Sequence, residues 1–495
     1  AFDPRNQMNP GKIAVPEGVS PTLLTIEASS RGSRDRAIEP ALAARHAHAI
    51  RCNGNAACQS IDLERAMCPS PKISRDPRHG PRGRAILMRE WMRRVSREGW
   101  REASEWREPS WSAWPIRVWR RLVSRRDFSH EVREAMDGCL SCKACAGSCP
   151  VKVSVPEFRS AFLHHYHRRY ARSLGDRLVA GLEEALPRLD RMGGLVNAAT
   201  SLVSVEALVR LVAGLVNPPR LARPSLEDRL RPLGVAIEPI ESLATLPHDE
   251  SGREAILLQD AFSTYLDPQA TVGVVRLLQS LGVRPRVAAY FPSGKGRHVK
   301  GELGRFERIA RANLARLESL ASSGRPIVGI DPATTLVFRD ELPKALGLAA
   351  SDVPKVQLLA EWLDSRPDLS TSVGVGPSDA AAIRLFAHCT ARAIAPESTR
   401  QWQRVFARFG CDLSIEPVGC CGMGGAWGHE AANAADSLGI FGLSWASRMP
   451  HDESGWEALA CEGFSCRSQI ERICSRRVRS PAEVLADRLQ SRADG

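Results

Sequence analysis

Four thiols fall within eleven residues at Cys139-Leu-Ser-Cys142-Lys-Ala-Cys145-Ala-Gly-Ser-Cys149, with Pro150 next, and few kinds of fold accommodate that. The spacing C-x2-C-x2-C-x3-C-P is that of a [4Fe–4S] ligand run, in which three close thiolates hold three irons of one cube and the cysteine before proline often serves another cluster. A single zinc ion prefers two C-x2-C pairs a dozen or more residues apart, because the ligands must close a tetrahedron. A redox C-x-x-C would use two of these thiols and idle the rest. The run therefore predicts an iron–sulfur cube on Cys139, Cys142 and Cys145.

A partial partner lies upstream, with Cys52 and Cys58 followed by Cys68-Pro69. Laid back from Cys68-Pro69, the same template puts its three preceding ligands at Cys58, Ile61 and Glu64, so two thiols are missing. Cross-ligation makes Cys68 a candidate fourth ligand to the first cube, with Cys149 as the alternative. A complete second cube would need Cys52, Cys58 and Cys149 plus one ligand that is not cysteine, so one cluster is expected. Downstream, Ser154-Val-Pro-Glu157 has the capping-box pattern and predicts a helix through FRSAFLHHYHRRY. His164, His165 and His167 occupy neighbouring helical positions that face different ways, so they read as surface and interface residues and not as ligands.

Seven cysteines lie between Cys52 and Cys149, none in the long stretch that follows, and seven between Cys389 and Cys474. Such clustering points to metal sites in a reducing compartment. Beyond residue 250 short apolar strands alternate with helix-length segments, which predicts α/β units, and the pattern occurs twice. In one unit, strands end at Asp260 and Asp331 around a helix at about 271–281 and a turn at 291–296. In the other, a strand ends at Cys389, a helix runs about 399–409, the turn VGCCGMGG spans 418–425, and an apolar segment ends at Cys466. Cys389, Cys420, Cys421 and Cys466 can face one iron–sulfur or zinc centre, with buried structural thiols as the alternative. The first unit has Asp260 and the turn Ser293-Gly294-Lys295-Gly296 at the equivalent places, so no soft-metal centre is expected there. Cys411 and Cys474 read as core thiols.

A net charge of +12 admits nucleic acid, an anionic membrane surface or an acidic partner without choosing among them. The Trp/Arg stretch RRVSREGWREASEWREPSWSAWPIRVWRR carries Glu98, Glu102, Glu105 and Glu108, which break its basic face. It is expected to be a solvated insertion whose Trp rings pack on the core or on a partner. The apolar segment 195–216 contains Glu206 and Arg210 and is read as a buried or oligomer-forming helix; no run of roughly 18 apolar residues spans a bilayer. The expectation is a soluble, cytoplasmic homo-oligomer without nucleic acid.

Cys389, the Cys420-Cys421-Gly pair and Cys466 resemble the CCG domain of heterodisulfide reductase subunits and of glycolate oxidase iron–sulfur subunits, although that pattern ends in C-x-x-C and Cys461 and Cys466 lie farther apart. FDPRNQMNPGKI resembles the closing segment of flavin-linked oxidases. RCNGNAACQS to MCPSPKISRDPRHGPRGRAILMREWM, the segment around GCLSCKACAGSCP, and GCCGMGGAWGHE with GFSCRSQ resemble the large bacterial FAD-linked D-2-hydroxyglutarate dehydrogenases. The resemblance implies a mixed fold: residues 1–45 as the tail of a missing FAD-linked oxidase domain, 46–172 as an α-helical ferredoxin-like 4Fe-4S domain, 173–250 as a helical linker, 251–350 as a CCG-like α/β domain lacking its cysteines, and 378–492 as a CCG-type α/β domain. It implies that Ala1 is a break, that FAD in a fused flavin domain oxidises the substrate, and that the cluster relays electrons to an external acceptor. Two rivals are a separately encoded iron–sulfur subunit of a glycolate or lactate oxidase and a nucleic-acid-binding protein with a structural cluster. No catalytic residue is assignable from the sequence.

Overall fold

The computed structural model describes residues 33–99, 109–247, 249, 251–369 and 382–493. The FDPRNQMNPGKI segment and the centre of the Trp/Arg stretch, with Glu102, Glu105 and Glu108, lie outside the described residues.

The first part is helical. Prolines in the first turn open α1 (Pro69–Ser74) and α2 (Pro81–Arg97), where a missing N–H costs nothing. Asp127 caps α3 (Phe128–Asp137) by accepting from Ser129 N at 2.8 Å. The short α4 (Ala144–Ser148) lies within the cysteine run. The helix expected after Ser154 is α5 (Val155–Arg169), but the Ser154 hydroxyl makes no capping bond.

Helix α5 is enclosed on every side by the elements around it. His164, His165 and His167 are buried, which corrects the surface reading. Neighbouring positions on a helix can all be buried only when nothing is left for a solvent face. The His46 ring packs on Trp91 and His165 at 5.7 and 5.4 Å, and burial pushes its pKa down to about 3, so it is neutral. Trp91 of α2 meets Phe162 edge-on at 5.2 Å and donates to Ser129 Oγ at 3.1 Å, tying α2, α3 and α5 together.

Four helices follow: α6 (Leu174–Ala180), α7 (Leu182–Arg191), α8 (Gly193–Thr200) and α9 (Val203–Ala213). The last two meet at 88°. Their apolar side chains are largely outside, with Val203 82% and Leu211 84% exposed, so of the two expectations for this segment, burial is not found among the described residues. Among the described residues no single helix is long and apolar enough to cross a membrane, although α8 and α9 together pass by length and composition.

Two parallel sheets complete the chain. The first has the order β1-β3-β2-β4-β5, from β1 (Ile237–Glu238), β2 (Glu254–Leu258), β3 (Arg284–Ala288), β4 (Ile327–Gly329) and β5 (Val356–Leu358). The second has the order β7-β6-β8, from β6 (Ile383–Phe386), β7 (Leu413–Ile415) and β8 (Leu459–Cys461). Its order matches the β3-β2-β4 centre of the first. Strands this short and covered on both faces read as apolar runs without alternation, as Ala-Ile-Leu-Leu in β2 does. One hydrophobic core joins the sheets, running from Leu257, Val287 and Val328 to Leu385, Leu413 and Ala460. Helix α10 (Pro268–Ser280) and the closing helix, Pro481–Ala493, pack so closely that a Cβ at Gly273 would come within 2.3 Å of Glu483 Cγ.

Candidate metal centres

All fourteen cysteines are free thiols, and the fold gathers most of them into three groups. In the first group, Cys68, Cys139, Cys142 and Cys145 line one void with Arg84, Lys143, Leu140 and the prolines Pro69, Pro81 and Pro156. Cys149 is absent from that lining. It stands instead in a second void with Cys52 and Cys58, which Cys145 borders as well. Of the two candidates for a fourth thiol beside Cys139, Cys142 and Cys145, the structure brings up Cys68. The positions Ile61 and Glu64 take no part, since Ile61 is 96% exposed; the fixed template misplaced them because nine residues, not three, separate Cys58 from Cys68.

Burial first, and then the neighbouring thiols, push these groups away from ionisation. Cys68 rises to about 11 even with the Arg84 guanidinium beside it, Cys145 rises to about 12, and Cys142 rises well above its ordinary value, with Cys389 the next cause. A thiol so placed keeps its proton until a metal displaces it. Arg84 donates to Ala135 O at 2.7 Å, Ser70 Oγ at 3.2 Å and Cys68 Sγ at 3.6 Å. Val155 N at the start of α5 donates to Cys145 Sγ at 3.5 Å. Lys143, also buried, is held charged against its desolvation by Glu341 at 2.8 Å and by Asp340.

The third group belongs to the second sheet. Cys389 opens α11 (Cys389–Ile394), Cys420 and Cys421 occupy the glycine-rich turn, Cys461 ends β8, and Cys466 lies in the first turn of α12 (Phe464–Cys474). Their thiols adjoin in the order Cys389, Cys420, Cys421, Cys466 and Cys461, each perturbing the next. The neighbouring Cys420 and Cys466 thiols lower Cys421 to about 6, while Cys389, Cys420 and Cys466 rise. Cys461, absent from the expected set, is thus a member of the group. Its place at the end of a strand running parallel to β6, which leads into Cys389, was the available signal. Gly422 makes the turn possible: its φ is 88°, and a Cβ there would meet Ser437 O at 2.2 Å. His388, beside Cys389, has a buried Nδ1 without a hydrogen-bond partner and is kept neutral by burial. Asp260 and the Ser293 turn of the first sheet bring no thiol together.

Cys142 is the point where the first and third groups meet. It shares an apolar cluster with Leu140, Cys389, Cys420, Trp427 and Ile440, and Trp427 Nε1 donates to Asp137 O at 2.8 Å across the junction. Among the described residues no three His, Cys, Asp or Glu side chains form a group placed for one metal ion. A polynuclear iron–sulfur centre separates its thiolates by its own width, and a void walled by buried cysteines suits it better than a mononuclear ion.

Fold and thiol groups together define a class: a cysteine-rich protein in which a helical thiol module abuts paired parallel α/β sheets. Within it, the chain is 42% identical over 492 residues to D-2-hydroxyglutarate dehydrogenase of Pseudomonas putida and 39% identical over 498 residues to that of Escherichia coli K12, in both cases covering 98% of this chain and 48% of the relative. One subunit of the E. coli anaerobic glycerol-3-phosphate dehydrogenase is 23% identical over 232 residues, covering 46% of this chain and 57% of that subunit. No protein-family model and no solved structure matches. The chain spans about half the length of the D-2-hydroxyglutarate dehydrogenases it matches. The expectation of the C-terminal iron–sulfur portion of a large FAD-linked enzyme, broken off at Ala1, is corrected accordingly. The matches establish shared sequence over nearly all of this chain, and carry neither a break at Ala1 nor a flavin half.

Proposed function

We propose that this chain carries the electron-transfer centres of a 2-hydroxyacid dehydrogenase that oxidises D-2-hydroxyglutarate to 2-oxoglutarate. The reaction class and substrate rest on relatives named for that activity at 36–42% identity. The role of the chain rests on the position of Cys142, with Cys139 and Cys145 on one side and Cys389 and Cys420 on the other. Oxidising a hydroxyl-bearing carbon releases two electrons together, which calls for a flavin, FAD by resemblance, and one-electron carriers beyond it. A [4Fe–4S] cluster supplies one-electron storage when bound, and Cys68, Cys139, Cys142 and Cys145 would hold it. Cys389, Cys420, Cys421, Cys461 and Cys466 would hold a second iron–sulfur centre, from which an external acceptor draws electrons.

The surrounding side chains have definable parts in this scheme. Arg84 sets a positive charge against Cys68 and so favours the more negative, reduced state of the site. Leu140, Trp427 and Ile440 keep water out of the gap between the two thiol groups. Lys143 fastens the loop to Glu341, which fixes the facing of Cys142.

The test is anaerobic reconstitution with iron and sulfide. The expected product has broad visible absorbance that bleaches with dithionite, and Cys142→Ser removes much of both the absorbance and the iron. In flavin-loaded enzyme, D-2-hydroxyglutarate should bleach the same absorbance and its L isomer should not. Material that returns zinc, or no metal, sinks the redox assignment.

A further inference from the structure

The first cysteine run has a structural twin that fixed spacing conceals. Around Cys142 the backbone takes left-handed φ at Ser141 (56°) and Lys143 (61°), one residue to either side. Upstream the same pair of turns falls at Gly54 (75°) and Ala56 (61°), one residue to either side of Asn55. Hydrogen bonds repeat in register. Cys139 N to Met136 O at 3.0 Å and Ala146 N to Lys143 O at 2.9 Å are matched by Cys52 N to Ala49 O at 3.3 Å and Gln59 N to Ala56 O at 2.8 Å. Left-handed φ is uncommon for a residue with a side chain, so its recurrence at matched positions marks one loop built twice. Cys52 therefore stands where Cys139 does, Cys58 where Cys145 does, and Asn55 where Cys142 does.

The surroundings repeat as well. The pocket inside the upstream loop is lined by Cys52, Asn55, Cys58 and Cys149, as the first is lined by Cys139, Cys142, Cys145 and Cys68. Cys149 serves it as Cys68 serves the other, each immediately before a proline. The amide of Asn55 is engaged elsewhere: its Oδ1 accepts from Ala57 N at 3.0 Å, closing a local turn on an exposed residue. The loop is thus complete in backbone and short of one thiol.

We propose that Cys52, Cys58 and Cys149 bind a second cluster through three thiolates alone, a [3Fe–4S] centre whose fourth corner, toward Asn55, is left without a protein ligand. The three thiols release their protons to solvent as they bind. The inference rests on the reading that these thiol-walled voids hold iron–sulfur clusters, and it adds a number, a place and a cluster type.

Electron paramagnetic resonance of the anaerobically reconstituted chain separates the possibilities, because an oxidised [3Fe–4S] cluster is paramagnetic and an oxidised [4Fe–4S] cluster of this kind is silent. The oxidised chain should give the three-iron signal. Cys58→Ser should abolish it and leave dithionite-bleachable absorbance, whereas Cys142→Ser should leave the signal in place. Asn55→Cys, at an exposed position, should convert the site to four irons, silencing the oxidised chain and raising iron by about one per chain. A signal that survives Cys58→Ser, or an oxidised chain that bleaches with dithionite but gives no signal, overturns the inference and leaves the first site standing. Absence of any bleachable absorbance overturns both.

Discussion

Arg84 shows what a thiol site demands of one side chain. Its guanidinium is wholly buried, and its bonds to Ala135 O, Ser70 Oγ and Cys68 Sγ satisfy a charge that water cannot reach. Arg84→Met should cost roughly 3 kcal/mol of stability, by denaturant titration of the metal-free chain, and should lower the reduction potential of the reconstituted site. Asp260 makes a different argument. Burial, then Asp331, raises its carboxyl from 3.8 to about 7, so between those values the folded chain binds a proton that the unfolded chain has lost. Stability contributed here is present at low pH and falls as pH rises through that window, levelling above it. Asp260→Asn keeps an oxygen for Phe262 N and Ser263 N and should flatten the slope. Near pH 8 the variant should melt higher, by roughly 2 kcal/mol in stability, and near pH 4 the two should coincide. The thiols themselves were legible because cysteines seldom crowd by chance. Asn55 and Cys461 were not, since one is a ligand position without a ligand and the other depends on strand pairing.

At the level of elements, the junction of α4 with α11 decides whether two thiol groups act together. A Cβ at Gly147 would reach 2.3 Å from Ala393 O, a backbone atom that cannot swing aside. Gly147→Ala should therefore cost about 1–3 kcal/mol by thermal melting, whereas Ser148→Ala on the exposed neighbour should stay near neutral. If the variant folds, the widened gap between Cys142 and Cys389 should slow electron exchange between reconstituted sites. Such contacts escape the sequence, where Gly147 is only a spacer between two ligands. Strands were easier to read, since β2 is an apolar run between Glu254 and Gln259 and β6 is apolar but for Arg384. The burial of α5 was harder, because three histidines and three arginines gave it the composition of a surface helix; only the packing of α2 and α3 around it reverses that reading.

Across the whole molecule the thiols form one sequence of sites. Cys145 borders both voids of the helical part, and Cys142 adjoins the group at Cys389. Away from these groups, the leucines and valines of α8 and α9 face outward across an 88° bend among the described residues. Composition suggested burial there, since apolar residues outnumber Glu206 and Arg210, and composition cannot say whether the covering surface lies in the same chain. Exposure itself yields the remaining prediction. Val203 and Leu211 bury little among the described residues, so replacing both with Ser removes almost no apolar area from the described core and should move the melting temperature by no more than roughly 2 °C. A larger fall, measured at two protein concentrations and growing with concentration, would mean that a second molecule covers this corner in solution. A fall independent of concentration would mean instead that the corner packs against a part of the chain outside the described residues.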